Sequence, residues 1–160
     1  MTIKVVEDNA INQKVMSQQL RKAGCAAVHV MDHGLDALSF LATTSFQVSS
    51  SSPSTAAAPP VPLSVILLDV EMPVMDGLTC ARAIRDMQAE GSVRNHVPII
   101  GITANARMEQ VSSCIEAGMD EVIVSLHGPC SAILLFSTLK IFHHINAQHE
   151  SMLFRSANAC

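Results

Sequence analysis

Apolar runs and amphipathic stretches alternate along this chain, which predicts an α/β fold built on one parallel sheet with right-handed crossovers. Two further observations support it. The apolar runs stop abruptly at acidic or hydroxyl residues, and glycines stand where the intervening helices should end. The sharpest run is Val65 to Gly77, V-I-L-L-D-V-E-M-P-V-M-D-G: a buried strand delivers Asp69 to its own end, ahead of a turn-prone loop carrying Met72-Pro73 and Asp76-Gly77. Sites in open α/β sheets form beyond the carboxyl ends of the strands, so Asp69 stands where a reactive residue would stand.

Taken in order, the chain opens with Ile3, Val5 and Val6 running into Glu7-Asp8-Asn9. Asn9 is placed to cap a helix from Ala10 to Ala23, with Ile11, Val15, Met16 and Leu20 at helical spacing and Gly24 closing it. Ala26 to Met31 alternates weakly and ends at Asp32-His33-Gly34, predicting an edge strand; Leu35, Leu38 and Leu41 then mark a short helix. Thr43 to Pro62 breaks the rhythm. It holds S-S-S-S-P-S and A-P-P-V-P, a composition that makes no packed element, and residues 43–62 are expected to form a flexible surface insertion. Closure entropy rises slowly with loop length, so the fold tolerates it.

Beyond the central strand, Leu78 to Glu90 predicts a helix with Leu78, Ala81, Ile84 and Met87 inward, ended by Gly91. Val97-Pro98 leads into a strand from Ile99 to Ile102 that finishes on Thr103-Ala104. Arg107 to Ala117 makes a fourth helix with Met108, Val111 and Ile115 on one face, Gly118 ends it, and Glu121 to Val124 reads as a fifth strand. Residues 1–124 thus form one doubly wound, five-stranded domain.

Three strand ends supply an acid pair, a single acid and a hydroxyl: Glu7-Asp8, Asp69 and Thr103. In one parallel sheet they converge on a small divalent cation and a phosphoryl group, because hard oxygen ligands suit magnesium. Composition narrows the alternatives. The 160 residues fit one domain, and 49% are apolar, enough for a core. A net charge of -4 with no basic stripe argues against nucleic acid as a partner. Cys25, Cys80, Cys114, Cys130 and Cys160 lack metal-type spacing and are expected to be free thiols in a reducing compartment. No signal peptide is seen, and the most apolar run, Ala132 to Phe142, is too short and interrupted to span a bilayer. The expectation is a cytoplasmic chain without membrane insertion.

Four stretches carry a resemblance: V-V-E-D-N-A-I-N-Q-K, D-V-E-M-P-V-M-D-G-L-T, H-V-P-I-I-G-I-T-A-N-A-R and E-A-G-M-D-E-V. In this order, over residues 3–124, the chain resembles the receiver domains of two-component phosphorelays, and most closely those of fungal hybrid histidine kinases. The resemblance implies a flavodoxin-like fold with strand order 2-1-3-4-5. It implies that Asp69 accepts a phosphoryl group from a phosphohistidine on a histidine kinase or histidine phosphotransfer protein. It also implies that Asp8 and Asp69 bind Mg2+ directly, Glu7 through a metal-bound water and Glu71 through its backbone carbonyl, with Thr103 hydrogen-bonding a phosphoryl oxygen. Val122 occupies a position where many receivers carry an aromatic switch residue.

The sequence departs from the family after the fifth strand. A Lys-Pro pair is expected there, the lysine pairing with the phosphoryl group, whereas this chain reads Ser125-Leu126. Phosphoryl transfer is therefore expected to be impaired more than metal binding. Residues 125–160 lose the resemblance altogether. Val124-Ser125 is encodable by the bases of a common intron donor site, which suggests an unspliced intron or a misdrawn gene. A helix over 132–146, rich in Ile, Leu and Phe, is expected to stand in for the family's fifth helix. Two other functions stay open: a degenerate receiver acting as a phosphorylation-independent interaction module, and a small Mg2+-dependent phosphohydrolase, the latter weakened by the lack of a substrate cap.

Overall fold

The computed structural model describes residues 2–25, 27–41, 64–93, 96–104 and 107–124. The insertion at 43–62, Ser125-Leu126 and the helix expected over 132–146 lie outside them. The described residues alternate as β1 (Thr2–Val6), α1 (Ala10–Lys22), β2 (Ala27–Met31), α2 (Gly34–Leu41), β3 (Val65–Asp69), α3 (Gly77–Ala89), β4 (Ile99–Thr103), α4 (Met108–Glu116) and β5 (Glu121–Val124). All strand pairs are parallel, and the sheet order is β2-β1-β3-β4-β5, as the resemblance implied.

The period of two along each strand sorts side chains onto two faces. Ile3 and Val5, Val65 and Leu67, and Ile100 and Ile102 pack with Met16 and Leu20 of α1. Val6, Ile66, Leu68 and Ile99 pack on the other face with Ala37 and Leu41 of α2 and with Cys80, Ala81 and Ile84 of α3. The central strands are buried along nearly their whole length, as strands covered on both faces must be. Each fully buried aliphatic side chain contributes about 1.5–3 kcal/mol, so β1, β3 and β4 form a rigid floor.

Helix ends follow the sequence signals. Asn9 accepts hydrogen bonds from the N–H groups of Ile11 and Asn12 and starts α1; Asp76 accepts from Thr79 at 2.7 Å and starts α3. At the far end of the sheet, Asp120 accepts from the Ile99 N–H at 2.7 Å and from Arg85 at 3.0 Å, while Arg85 Nε donates to the Gly118 carbonyl at 2.7 Å. That network ties α3 to the entrances of β4 and β5.

Some faces differ from expectation. The stripe Met108, Val111, Ile115 is not the buried face of α4: Met108 and Ile115 are exposed, and Cys114 is the residue that packs inward. Leu35 on α2 and Ile11 on α1 are also exposed. The inward contacts are made by Met16 and Leu20 in α1, by Ala37 and Leu41 in α2 and by the small Cys114 in α4, and apolar spacing alone does not separate these positions from exposed apolar neighbours. Lys4, a charge in a central strand, is 4% exposed, with its ammonium 3.2 Å from the centre of the Phe40 ring on α2.

Candidate functional site

The β1–β3 register sets Val6 opposite Leu68, so the next residues, Glu7 and Asp69, stand at the same level beyond the carboxyl edge of the sheet. Asp8 follows at once, and ligand oxygens of Glu7, Asp8 and Asp69 all lie within 4.8 Å of one another. On the other side of β3, Asp69 is in register with Ile102, which places Thr103 one step further along β4 at the same end. Thr103 is 1% exposed. The acid pair, the single acid and the hydroxyl expected from the sequence therefore gather at one end of three adjacent strands.

Glu71 stands differently. Its side chain is exposed and outside the three-carboxylate cluster, while its N–H donates to Asp69 Oδ1 at 3.2 Å. It lies in the loop directly behind Asp69.

Crowding three carboxylates costs energy, and the protonation of the site records that cost. Burial first, then the negative charges of Glu7 and Asp8, push the Asp69 carboxyl from its ordinary 3.8 up to about 7; the Glu71 N–H opposes this. Burial also raises Glu7, opposed by hydrogen bonds from Asn12 and the Asn9 N–H. A bound divalent cation removes this repulsion, and an all-oxygen donor set is what Mg2+ prefers. The residues present fit that ion.

The loop between β3 and α3 holds the site through close backbone contact. A Cβ on Gly77 would fall 2.2 Å from the Asp69 carbonyl oxygen, so only glycine lets α3 start here. Before it, the Met75 N–H reaches the Pro73 carbonyl at 2.8 Å around Val74, whose φ of 69° is unusual for a β-branched residue. Val74 is exposed, as are Ile11 at the start of α1 and Met108 at the start of α4. These apolar side chains stand on the same end of the sheet as the acids.

The geometry has a counterpart in sequence. Residues 3–125 match the family model for the response regulator receiver domain. The chain belongs to the receiver domain family. A hybrid signal transduction protein of Dictyostelium discoideum, dokA, is 36% identical over 121 residues, a match covering 76% of this chain and 6% of that protein. The receiver domain of the Arabidopsis thaliana histidine kinase CKI1, solved with Mg2+ and BeF3-, superposes with a TM-score of 0.66 at 26% identity, covering 91% of this chain and 89% of that one. The receiver domain of Saccharomyces cerevisiae Ssk1, solved with the histidine phosphotransfer protein Ypd1, shares the fold: TM-score 0.62 and 22% identity, over 79% of this chain and 81% of that one. The chain spans a small fraction, 6% and 5%, of the first two curated relatives, both hybrid signalling proteins. Among the described residues, no helix of the receiver is long and apolar enough to cross a membrane.

Sequence reasoning missed the residues that hold Glu7. Asn12 Nδ2 donates to Glu7 Oε1 at 3.0 Å, and Gln13 Nε2 donates both to the Glu7 carbonyl at 2.6 Å and to Asp32 Oδ1 at 2.9 Å. Both lie inside the quoted stretch V-V-E-D-N-A-I-N-Q-K, but their polarity signalled only the solvent side of a helix.

Proposed function

We propose that this receiver takes a phosphoryl group onto Asp69 from a phosphohistidine, with Mg2+ held by Asp8 and Asp69 directly, by Glu7 through water and by the Glu71 carbonyl. The observation that carries this reading is the convergence of Glu7, Asp8 and Asp69 within 4.8 Å at the end of two central strands. In the reaction an Asp69 carboxylate oxygen forms a bond to phosphorus as the bond from phosphorus to the imidazole nitrogen breaks. The histidine leaves with the electron pair of that bond. Mg2+, when bound, supplies positive charge shared by the carboxylates and the transferring phosphoryl oxygens.

The chain's own residues do the rest. Asp69 is held at the end of a rigid strand, with one oxygen fixed by the Glu71 N–H, so the nucleophile is pre-oriented. Thr103 supplies the hydroxyl that meets a phosphoryl oxygen and passes the new charge to the surface near β4. Ile11, Val74 and Met108 expose apolar surface at the same end of the sheet as the acids, suited to a histidine phosphotransfer protein of the kind solved with the yeast receiver. The family lysine is replaced by Ser125. The three acids carry about three negative charges against two from Mg2+, so transfer is slower than in a receiver with the lysine. On this reading residues 125–160 form a divergent tail, although the family match still takes in Ser125.

Incubating the chain with a phosphorylated histidine phosphotransfer protein tests the reading. Label should move to the wild type in Mg2+, but neither in EDTA nor to Asp69→Asn. Transfer to Asp69→Asn, or transfer indifferent to EDTA, contradicts it.

A further inference from the structure

We infer that Asn12 is a positioning residue that keeps Glu7 presenting a single carboxylate oxygen to the metal cluster, and thereby selects Mg2+ over Ca2+. The inference rests on the metal site of the proposed function and extends it to a residue outside the ligand set. Glu7 is 4% exposed, so its carboxylate orientation is fixed by the protein rather than by solvent. One oxygen, Oε1, is taken twice: by the Asn9 N–H at 3.2 Å and by the Asn12 amide at 3.0 Å. Among the described residues no donor meets Oε2, which leaves that oxygen for a metal-bound water.

The backbone beneath Glu7 is held as well. Gln13 Nε2 bridges the Glu7 carbonyl and Asp32 Oδ1, locking the β1–α1 connection to the β2–α2 connection. Glu7 therefore cannot swing to offer both oxygens unless Oε1 gives up its donors.

That constraint separates the two ions. Mg2+ demands near-octahedral geometry with short bonds to single oxygens and keeps several waters, whereas Ca2+ accepts six to eight oxygens and readily takes a carboxylate through both. A Glu7 pinned through Oε1 suits the first and refuses the second. Removing the Asn12 amide leaves only the Asn9 N–H on Oε1, and the carboxylate gains freedom to turn both oxygens inward. Residues that orient metal ligands in this way typically change affinity by about 10–100-fold when removed.

Calorimetric titration of Mg2+ and, separately, Ca2+ into the metal-free full-length chain, with Asn12→Leu and Asn12→Ala alongside, tests this. Mg2+ affinity should fall about tenfold in both variants, while Ca2+ affinity holds or rises, so the Mg2+ to Ca2+ preference narrows. A variant that keeps the wild-type preference overturns the inference, as does an equal loss for both ions, which would mean a general loosening of the fold. Failure of the wild type to bind either ion removes the metal site itself and the inference with it, and is thereby distinguishable from a failure of Asn12 alone.

Discussion

The proposed transfer needs Asp69 ionised, yet its surroundings favour the neutral acid. With its folded carboxyl near 7 against an ordinary 3.8, the metal-free protein holds the proton more tightly than the unfolded chain does. The stability this gives is complete below about pH 4 and is lost as pH rises through 7. In EDTA, Asp69→Asn should therefore unfold at higher urea than wild type, with a gap opening between about pH 4 and 7 and reaching about 1–2 kcal/mol by pH 8. Saturating Mg2+ should close it. Lys4 behaves in the opposite sense. Burial lowers its ammonium from 10.5 to about 8, so stability is withheld below pH 8 and recovered as pH rises from 8 toward 10.5. Lys4→Met should flatten that rise in a urea-midpoint series from pH 7 to 10. The three clustered carboxylates were legible in the sequence because they stand where apolar runs end. The Lys4 contact with Phe40 and the Gln13 contact with Asp32 were not, since both join residues far apart in sequence and no periodicity encodes them.

Among the elements, the β3–α3 connection links folding most tightly to chemistry. Gly77 N–H donates to the Val70 carbonyl at 3.1 Å, and the space a Cβ would need is filled by the Asp69 backbone. Gly77→Ala should cost about 2–4 kcal/mol in the denaturation midpoint and displace Asp69, weakening Mg2+ binding together with stability. The strands, the Asn9 cap and the helix ends were readable because their signals are local: Asn9 precedes a helical pattern, and glycines follow Ala23, Glu90 and Ala117, whereas Asp76, read as part of a turn, proves to cap α3. The buried face of α4 was not readable from Met108, Val111 and Ile115, because which stripe faces inward depends on how the helix sits over the sheet. Cys114, small and fully buried, makes that contact.

For the molecule as a whole, the sheet order brings Glu7, Asp8, Asp69 and Thr103 to one end while Arg85 and Asp120 fasten the other. The described strands bring together the acids and the hydroxyl of the proposed acceptor site, and where the family places a lysine after the fifth strand this chain has Ser125. Replacing Ser125-Leu126 by Lys-Pro should speed phosphorylation by about 10–100-fold, since one buried positive charge at a developing phosphoryl contact is worth a few kcal/mol. An unchanged rate would show that the tail residues do not approach the site. The most direct test is the intact mass of the purified chain after incubation with Mg2+ and a small acyl phosphate, beside Asp69→Asn. One added phosphoryl group is expected on the wild type, dependent on Mg2+ and lost in the variant; an addition that survives Asp69→Asn, or none even after Lys-Pro replaces Ser125-Leu126, would contradict Asp69 as the acceptor.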